Sequence, residues 1–108
     1  MNLPTEVFGE VVVAHAPEEI LENRCEELLK CLTSLERANV VLDIDHVEAI
    51  DSHGLETMLG VLDLLRERGG DLKLSASGSV NRKILEITRL DLYIEVFESV
   101  IDAVKSYS

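Results

Sequence analysis

Apolar residues recur along this chain in two patterns, one typical of short strands and the other of helices. Two short apolar segments within residues 2–13, separated by Gly9 and Glu10, predict a pair of strands. The consecutive β-branched residues Val11–Val13 favour a buried strand, whereas Pro4 suits a strand at the edge of a sheet. We therefore expect the first strand to form an antiparallel edge.

A first helix is predicted to begin at Pro17. A proline fits the first helical turn, and the acids Glu18 and Glu19 suit the positive end of the helix dipole. The apolar residues that follow recur every three or four positions, which is the spacing of one buried helix face. They are Leu21, Cys25, Leu28, Leu32 and Leu35. The pattern fades within Thr33–Arg37, where we expect the helix to end.

The middle of the chain is predicted to hold the centre of the fold. Its apolar run Val40–Ile44 predicts a buried central strand, and an acidic loop follows over residues 45–50. A second helix is expected from Ser52, as its capping residue, to Arg66–Gly70, where cations and glycines suit a helix C-terminus. Within it Gly60 costs about 1 kcal/mol relative to alanine, which a close approach of the helix to the sheet would explain.

The second half of the chain continues to alternate between strand and helix patterns. Asp71–Ala76 alternates polar and apolar residues and predicts a strand, after which Ser79 is expected to cap a short helix. A last strand is predicted over Tyr93–Phe97, and a last helix is predicted to start at Glu98 or Ser99. The apolar residues at helical spacing in these two helices are Val80, Ile84, Leu85 and Ile87 in one and Val100, Ile101, Val104 and Tyr107 in the other.

This order of elements predicts an α/β fold. Strands and helices that alternate with short loops imply a mostly parallel sheet with right-handed crossovers, here with about four helices. A length of 108 residues suits a single domain, residues 1–108, with one core. No apolar stretch approaches the roughly 20 residues that span a bilayer, and the N-terminus has no secretory signal core, so a cytoplasmic protein is expected.

The formal net charge of −11 narrows the possible partners. Nucleic acid and anionic membranes both require Lys and Arg to meet their phosphates, so neither partner is expected. The charge fits a partner with a basic patch, and it is equally typical of an ordinary acidic protein. Cys25 and Cys31 lie six residues apart, about 240° around a helix, which predicts neither a disulfide nor a zinc site.

No catalytic motif is present in the sequence. The nucleophile elbow, the P-loop and the dinucleotide fingerprint are all missing, so we expect neither an enzyme nor a cofactor. The three histidines are expected to be exposed or half-exposed loop residues rather than a metal site; they are His15, His46 and His53. Four carboxylates are expected to form a solvated rim rather than a Mg²⁺ site; they are Asp43, Asp45, Glu48 and Asp51.

Ser52 allows two interpretations. As a helix N-cap it would contribute about 1 kcal/mol to stability. As a phosphorylation site it would gain roughly −1.5 to −2 charges, which the N–H groups and dipole of a helix N-terminus accommodate in the folded state. Asp45, Glu48 and Asp51 would repel the phosphate, so its addition would change the exposed surface and release a partner rather than refold the core.

The segment Asp51–Leu55, preceded by VVLDIDHVEAI, resembles the signature of STAS domains, specifically the stand-alone bacterial anti-sigma factor antagonists. Residues 71–104, DLKLSASGSVNRKILEITRLDLYIEVFESVIDAV, resemble the strand, helix, link, short strand and closing helix of the same family. The resemblance covers nearly the whole chain. It implies a STAS-type fold: a mixed, mostly parallel sheet with an antiparallel N-terminal edge strand.

The resemblance also implies a function, that of a phospho-regulated antagonist. Unphosphorylated at Ser52, the domain would bind an anti-sigma factor and so release a sigma factor. The implied partners are that anti-sigma factor, a serine kinase with a histidine-kinase-like ATPase fold, and a PP2C-type phosphatase, with the domain itself a monomer or weak dimer. The residues expected to meet the partner are Asp45, His46, Asp51, Ser52, His53, Gly54 and Glu56.

Two positions depart from the family pattern, and two other functions stay open. Residues Ala14–Glu19 stand where the family usually carries Gly-x-Leu-Asp, and His53 replaces a small residue between the serine and the glycine. One alternative is a STAS subunit that docks on a transporter ATPase or another scaffold without regulated phosphorylation. The other is a module that binds a nucleotide or small molecule through the acidic loop.

Overall fold

The computed structural model describes residues 2–108 and places a five-stranded sheet at their centre. In chain order the strands are β1 (Thr5–Phe8), β2 (Val11–His15), β3 (Glu19–Ile20), β4 (Asn39–Asp43), β5 (Ala49–Ile50), β6 (Asp71–Ser75) and β7 (Glu95–Phe97). The helices are α1 (Glu22–Thr33), α2 (Ser52–Glu67), α3 (Ser79–Thr88) and α4 (Val100–Lys105), with a 3₁₀ turn at Leu90–Leu92.

The central sheet has the order β1-β2-β4-β6-β7. β1 pairs with β2 antiparallel, and every other neighbouring pair is parallel. The predicted α/β class, the mostly parallel sheet and the antiparallel N-terminal edge are therefore confirmed. The crossover helices reverse the chain between parallel strands, so the carboxyl ends of β2, β4 and β6 lie at one edge of the sheet.

Two apolar clusters cover the two faces of this sheet. Alternate residues of the central strands, such as Val40 and Leu42, join the buried side chains of α1 and α2 in the larger cluster. The residues between them, such as Val41, pack with Val11, Val13 and Ala103 on the α4 side. Because side chains alternate along a strand, one short apolar run supplies both layers.

The last residues of the chain are tied to the sheet by polar contacts. The Tyr107 hydroxyl donates to the carbonyl oxygens of Val40 and Asp71, at 2.8 and 2.9 Å. The buried Lys73 ammonium donates to the Ser106 hydroxyl at 2.7 Å and lies 4.2 Å from the centre of the Tyr107 ring. Burial raises the pKa of Tyr107 above its usual value, so the hydroxyl stays protonated as a donor.

The predicted start of the first helix was wrong. Helix α1 begins at Glu22 rather than Pro17, and the residues between them include β3, which pairs in parallel with β5. Ile20 is buried in the larger apolar cluster, so an extended segment here contributes to the core. Each strand of this small sheet is two residues long, too short to show an alternating pattern in the sequence.

The explanation offered for Gly60 was also wrong. A side chain there would meet only the Leu29 side chain of α1, at 4.0 Å, and not the sheet. Close backbone approaches occur instead at Gly54, against the Ile20 carbonyl, and at Gly70, against the Ala38 carbonyl. The glycines that packing requires are therefore those at the two ends of α2.

The predicted extents of the last elements hold in part. Gly78, not Ser79, is the N-cap of α3, and it carries no capping side chain. The strand predicted from Tyr93 begins at Glu95. The last helix was predicted to start at Glu98 or Ser99 and begins at Val100, with Ser99 as its N-cap, because the Ser99 hydroxyl accepts the Asp102 N–H at 3.0 Å.

Candidate functional site

The N-termini of α1 and α2 meet at one carboxylate, that of Asp51. Its Oδ1 accepts the N–H of Gly54 at 2.9 Å, which makes Asp51 the N-cap of α2. Its Oδ2 accepts the N–H of Glu22, the first residue of α1, at 3.0 Å. The bond from Gly54 is the largest cause that lowers the pKa of Asp51 below its usual value, with the Glu22 bond adding to it. Asp51 is therefore ionised and structural.

Gly54 lets α2 start in contact with the small β3–β5 sheet. A β-carbon at this position would collide with the carbonyl oxygen of Ile20 and lie 2.8 Å from Cγ1 of Ile50. The N–H of Asp51 donates to the same Ile20 carbonyl at 3.3 Å. The two-residue strands and the glycine together fix where the first turn of α2 lies.

Ser52 is the first residue of α2 and not its cap, so the capping interpretation of Ser52 was wrong. Its side chain is exposed, and its hydroxyl has no hydrogen-bond partner within residues 2–108. Serine and aspartate are about equally good N-caps, so the sequence alone could not choose between these two neighbours. The hydroxyl that the fold leaves unused is available to another molecule.

His53 and Glu56 stand exposed beside Ser52 in the first two turns of α2. The Nε2 atom of His53 lies 3.8 Å from a carboxylate oxygen of Glu22, too far for a hydrogen bond. Glu56 follows Ser52 by four residues, which places the two on the same helix face. The surface around Ser52 is therefore polar and acidic.

Asp45 and His46 lie in the loop that leaves β4, at the carboxyl edge of the sheet. Both side chains are exposed, and the Asp45 carboxylate accepts the N–H and the hydroxyl of Ser77 at 2.7 and 3.0 Å. The buried Asn81 amide donates to the carbonyl oxygens of Ile44 and Val47, both at 2.7 Å. These bonds pin the loop to the start of α3.

The expectation of a solvated acidic rim was wrong for Asp43 and holds for Asp45 and Glu48, which are exposed, while Asp51 is half-buried. Asp43 is buried and accepts the N–H of Asp45 at 3.0 Å, while Asp45 and Asp51 are hydrogen-bonded as described. Glu48 alone of the four is exposed without such a bond within residues 2–108. These carboxylates stabilise loops and helix starts.

His15 is not a loop residue as predicted but the last residue of β2. Its Nδ1 lies 2.7 Å from Asp43 Oδ2, and its Nε2 lies 3.0 Å from Glu6 Oε1. The bond to Glu6 raises the pKa of His15 above its usual 6.5, burial opposes that rise, and Asp43 adds to it. His15 and Asp43 end neighbouring strands in register, a pairing that their positions in the sequence do not reveal.

The structure thus divides the predicted partner-binding residues into two groups. Five of them form the cap and first two turns of α2, and Asp45 and His46 belong to the loop after β4. Within residues 2–108, no group of three or more His, Cys, Asp or Glu side chains is arranged to hold a metal ion. No helix in the same range is long and apolar enough to cross a membrane.

Comparison with known proteins identifies the relatives of this fold. The family model of the STAS domain matches residues 2–103. An anti-sigma factor antagonist from Mycobacterium paratuberculosis has a similar structure, with a TM-score of 0.81 and 21% identity over 97% of this chain and 92% of that chain. A sulfate transporter family protein from Wolinella succinogenes gives a TM-score of 0.78 and 18% identity over 94% and 87%.

The Bacillus cell fate determinant SpoIIAA, solved in its phosphorylated form, is similar as well. Its TM-score is 0.70, with 17% identity over 99% of this chain and 100% of that chain. These identities are low, so the three likenesses concern the fold, and membership of a family rests on the match over residues 2–103. The resemblance read from the sequence is confirmed.

Proposed function

Since the chain belongs to the STAS domain family, we propose that it is an anti-sigma factor antagonist controlled by phosphorylation of Ser52. In the unphosphorylated state it binds an anti-sigma factor and so frees a sigma factor. The anti-sigma factor is itself the serine kinase, with a histidine-kinase-like ATPase fold, and a PP2C-type phosphatase restores the serine. The similarity in fold to anti-sigma factor antagonists supports this class of protein partner.

The observation that carries the proposal is the unused hydroxyl of Ser52. It is exposed at the first position of α2, while the neighbouring Asp51 makes the cap bonds to Gly54 and Glu22. In the kinase reaction the Ser52 oxygen would bond to the γ-phosphorus of ATP, ADP would leave, and the hydroxyl proton would pass to a base of the kinase. Neither cap bond has to break for this to occur.

The consequence for binding is electrostatic. A phosphate adds roughly −1.5 to −2 charges to a surface that already includes Asp51 and Glu56. A partner packed on the neutral serine would have to bury that charge, and desolvating an unpaired charge costs several kcal/mol. Phosphorylation therefore releases the partner without unfolding the domain.

The remaining partner-binding residues take roles in this proposal according to their exposure. The side chains of Asp45, His46, His53 and Glu56 contact the partner, since all four are exposed. Asp51 and Gly54 set the position of Ser52 through the contacts described above. His53 stands where the family pattern has a small residue, so its side chain is the main difference between this surface and that pattern.

The test is intact-mass analysis after incubation with ATP and the candidate kinase. A gain of one phosphate in the wild type that disappears in Ser52→Ala is the expected result. Ser79→Ala is a matched control, because Ser79 is also exposed at the first position of a helix. In a binding assay, Ser52→Ala should retain the kinase and Ser52→Asp should lose it. Equal binding by both variants would overturn the proposal.

A second function has one observation in its favour, the likeness in fold to a sulfate transporter family protein. In this case the domain would dock on a transporter or its ATPase through the same surface, without regulated phosphorylation. Co-purification with a transporter ATPase, together with protein from cells that carries no phosphoserine, would favour this function over the first.

A further inference from the structure

Helix α3 and the turn after it expose an apolar surface. Four of the eight exposed large apolar side chains within residues 2–108 lie in a stretch of 14 residues, and they are Val80, Ile87, Leu92 and Tyr93. Val80 and Ile87 are 71% and 73% exposed. Their spacing in the sequence predicted a helix, and the fold buries Leu85 of that helix but leaves Val80 and Ile87 uncovered.

The geometry of α3 places two of these side chains, Val80 and Ile87, on one face of the helix. Positions seven apart lie on the same helix face, about 10 Å apart along the axis, and Ile84 lies between Val80 and Ile87 on that face. The adjacent face, about 100–120° round the helix, is anchored, since Asn81 and Leu85 are the buried residues of α3. Leu92 and Tyr93 follow at the end of α3 where Ile87 lies. We call Val80, Ile84, Ile87, Leu92 and Tyr93 the α3 surface.

The segment that carries the α3 surface has a net positive charge, whereas the chain as a whole is negative. The chain carries ten Lys and Arg against 21 Asp and Glu, yet residues 79–93 hold three of those cations and two acids. Lys83 and Arg89 are exposed and form no ion pair within residues 2–108. Lys83 lies within one turn of both Val80 and Ile87, whereas Glu86 and Asp91 line a shallow depression with Arg82.

Arg89 stands in a backbone conformation that favours glycine. Its φ of 62° is the left-handed conformation of a helix C-cap, and it is the one non-glycine residue within residues 2–108 with a positive φ. A side chain there costs roughly 1 kcal/mol relative to glycine. The Arg89 cation also suits the negative end of the α3 dipole, and its guanidinium is exposed.

We propose that the α3 surface, bordered by Lys83 and Arg89, docks a protein partner that presents apolar side chains edged by carboxylates. An anionic membrane has matching chemistry, but the net charge of −11 would oppose its approach. A second copy of this chain, joined through the same surface, would present cations rather than carboxylates beside its apolar side chains. The α3 surface includes none of the residues assigned to the Ser52 surface, so this proposal does not depend on the function proposed above.

The probe is a pair of helical peptides with the same leucine stripe, one bordered by Glu and the other by Lys. Titrated into ¹⁵N-labelled full-length protein, the Glu peptide should shift the amide signals of residues 79–93, and the Lys peptide should bind at least tenfold more weakly. Ile87→Ser should raise the Kd of the Glu peptide at least fivefold. Leu64→Ser, at an exposed apolar position of α2, is the matched control and should leave the Kd unchanged.

Arg89→Gly separates binding from folding. Glycine suits the positive φ, so this variant should melt no lower than the wild type while its Kd for the Glu peptide rises several-fold. Equal binding of the two peptides, or a Kd unaffected by Ile87→Ser, would overturn the proposal. So would binding to phosphatidylglycerol vesicles in place of the peptide, or a dimer in sedimentation equilibrium that Ile87→Ser abolishes.

Discussion

Asp51 and Glu22 are 29 residues apart in sequence, yet the carboxylate of Asp51 accepts the backbone N–H of Glu22 at 3.0 Å. The same carboxylate caps its own helix through Gly54. One side chain therefore fixes the relative position of the first turns of α1 and α2. Ser52, the residue proposed as the switch, lies directly after this junction and takes no part in it.

Replacing Asp51 with Ala should lower the melting temperature by several degrees near neutral pH, because two helix N-termini lose their acceptor. The pKa of Asp51 is lowered in the folded state, so its contribution is present above about 3.8 and is lost as the pH falls through the folded-state pKa. Urea unfolding from pH 7 to pH 2 should therefore show the two proteins converging in acid.

Asp63→Ala is the control for this experiment, since Asp63 is an exposed acid further along α2. Its removal should change the melting temperature little. If Asp51→Ala were no less stable than Asp63→Ala at pH 7, the shared cap would have no energetic role.

Ser52→Ala should change the free energy of unfolding by less than about 0.5 kcal/mol, because the hydroxyl bonds to nothing in the fold. Ser99 offers a contrast within the same chain, since its hydroxyl accepts the Asp102 N–H at 3.0 Å. Ser99→Ala should lose about 1 kcal/mol. Chemical unfolding of both variants under one set of conditions measures the difference, and a larger loss at Ser52 would restore its role as a cap.

Gly54→Ala should destabilise the domain by about 1–3 kcal/mol, because the new methyl group meets the Ile20 carbonyl and the backbone must shift. Gly60→Ala in the same helix meets nothing closer than Leu29, at 4.0 Å, and should stabilise by up to about 1 kcal/mol. Opposite signs in thermal unfolding are expected. The same sign for both substitutions would contradict the close approach at Gly54.

His15 should make stability depend on pH above about 6.5, its usual pKa. Its pKa is raised in the folded state by Glu6 and Asp43, so its contribution is complete below about 6.5 and is lost as the pH rises through the folded-state pKa. Wild type should therefore exceed His15→Gln in stability at pH 6 and approach it at pH 9, in urea titrations. His46→Gln, at an exposed histidine in the loop after β4, should leave this pH dependence intact.

The strands β4 and β6 and the helix α2 could be predicted from the sequence because each is a sustained pattern. Val40–Ile44 is a run of buried residues, and the apolar positions of α2 recur for four turns. The short β3–β5 sheet could not be predicted, because two residues carry no period. The exposure of Val80 and Ile87 could not be predicted, since a helical pattern shows that a face is apolar but not whether the fold covers it.

The candidate site was predictable as a segment but not in its internal roles. Asp51 and Ser52 are adjacent and have similar capping preference, so only the bonds from Gly54 and Glu22 in the folded structure assign the structural role to the acid. The pairing of His15 with Asp43 depends on which strands are neighbours and in what register. Such long-range relations arise from the packing of the whole sheet.

The two-residue pairing of β3 with β5 links the position of the segment before α1 to that of the segment before α2. Residues 14–19, which depart from the family pattern, lead directly into this pairing, and Glu18 O accepts the N–H of Glu48 at 2.7 Å. A substitution in residues 14–19 can therefore shift the first turn of α2, and with it Ser52, without contacting Ser52 or the proposed partner. We therefore expect sequence differences between relatives in the β2–α1 segment to change partner binding at the proposed Ser52 surface, although the segment lies outside that surface.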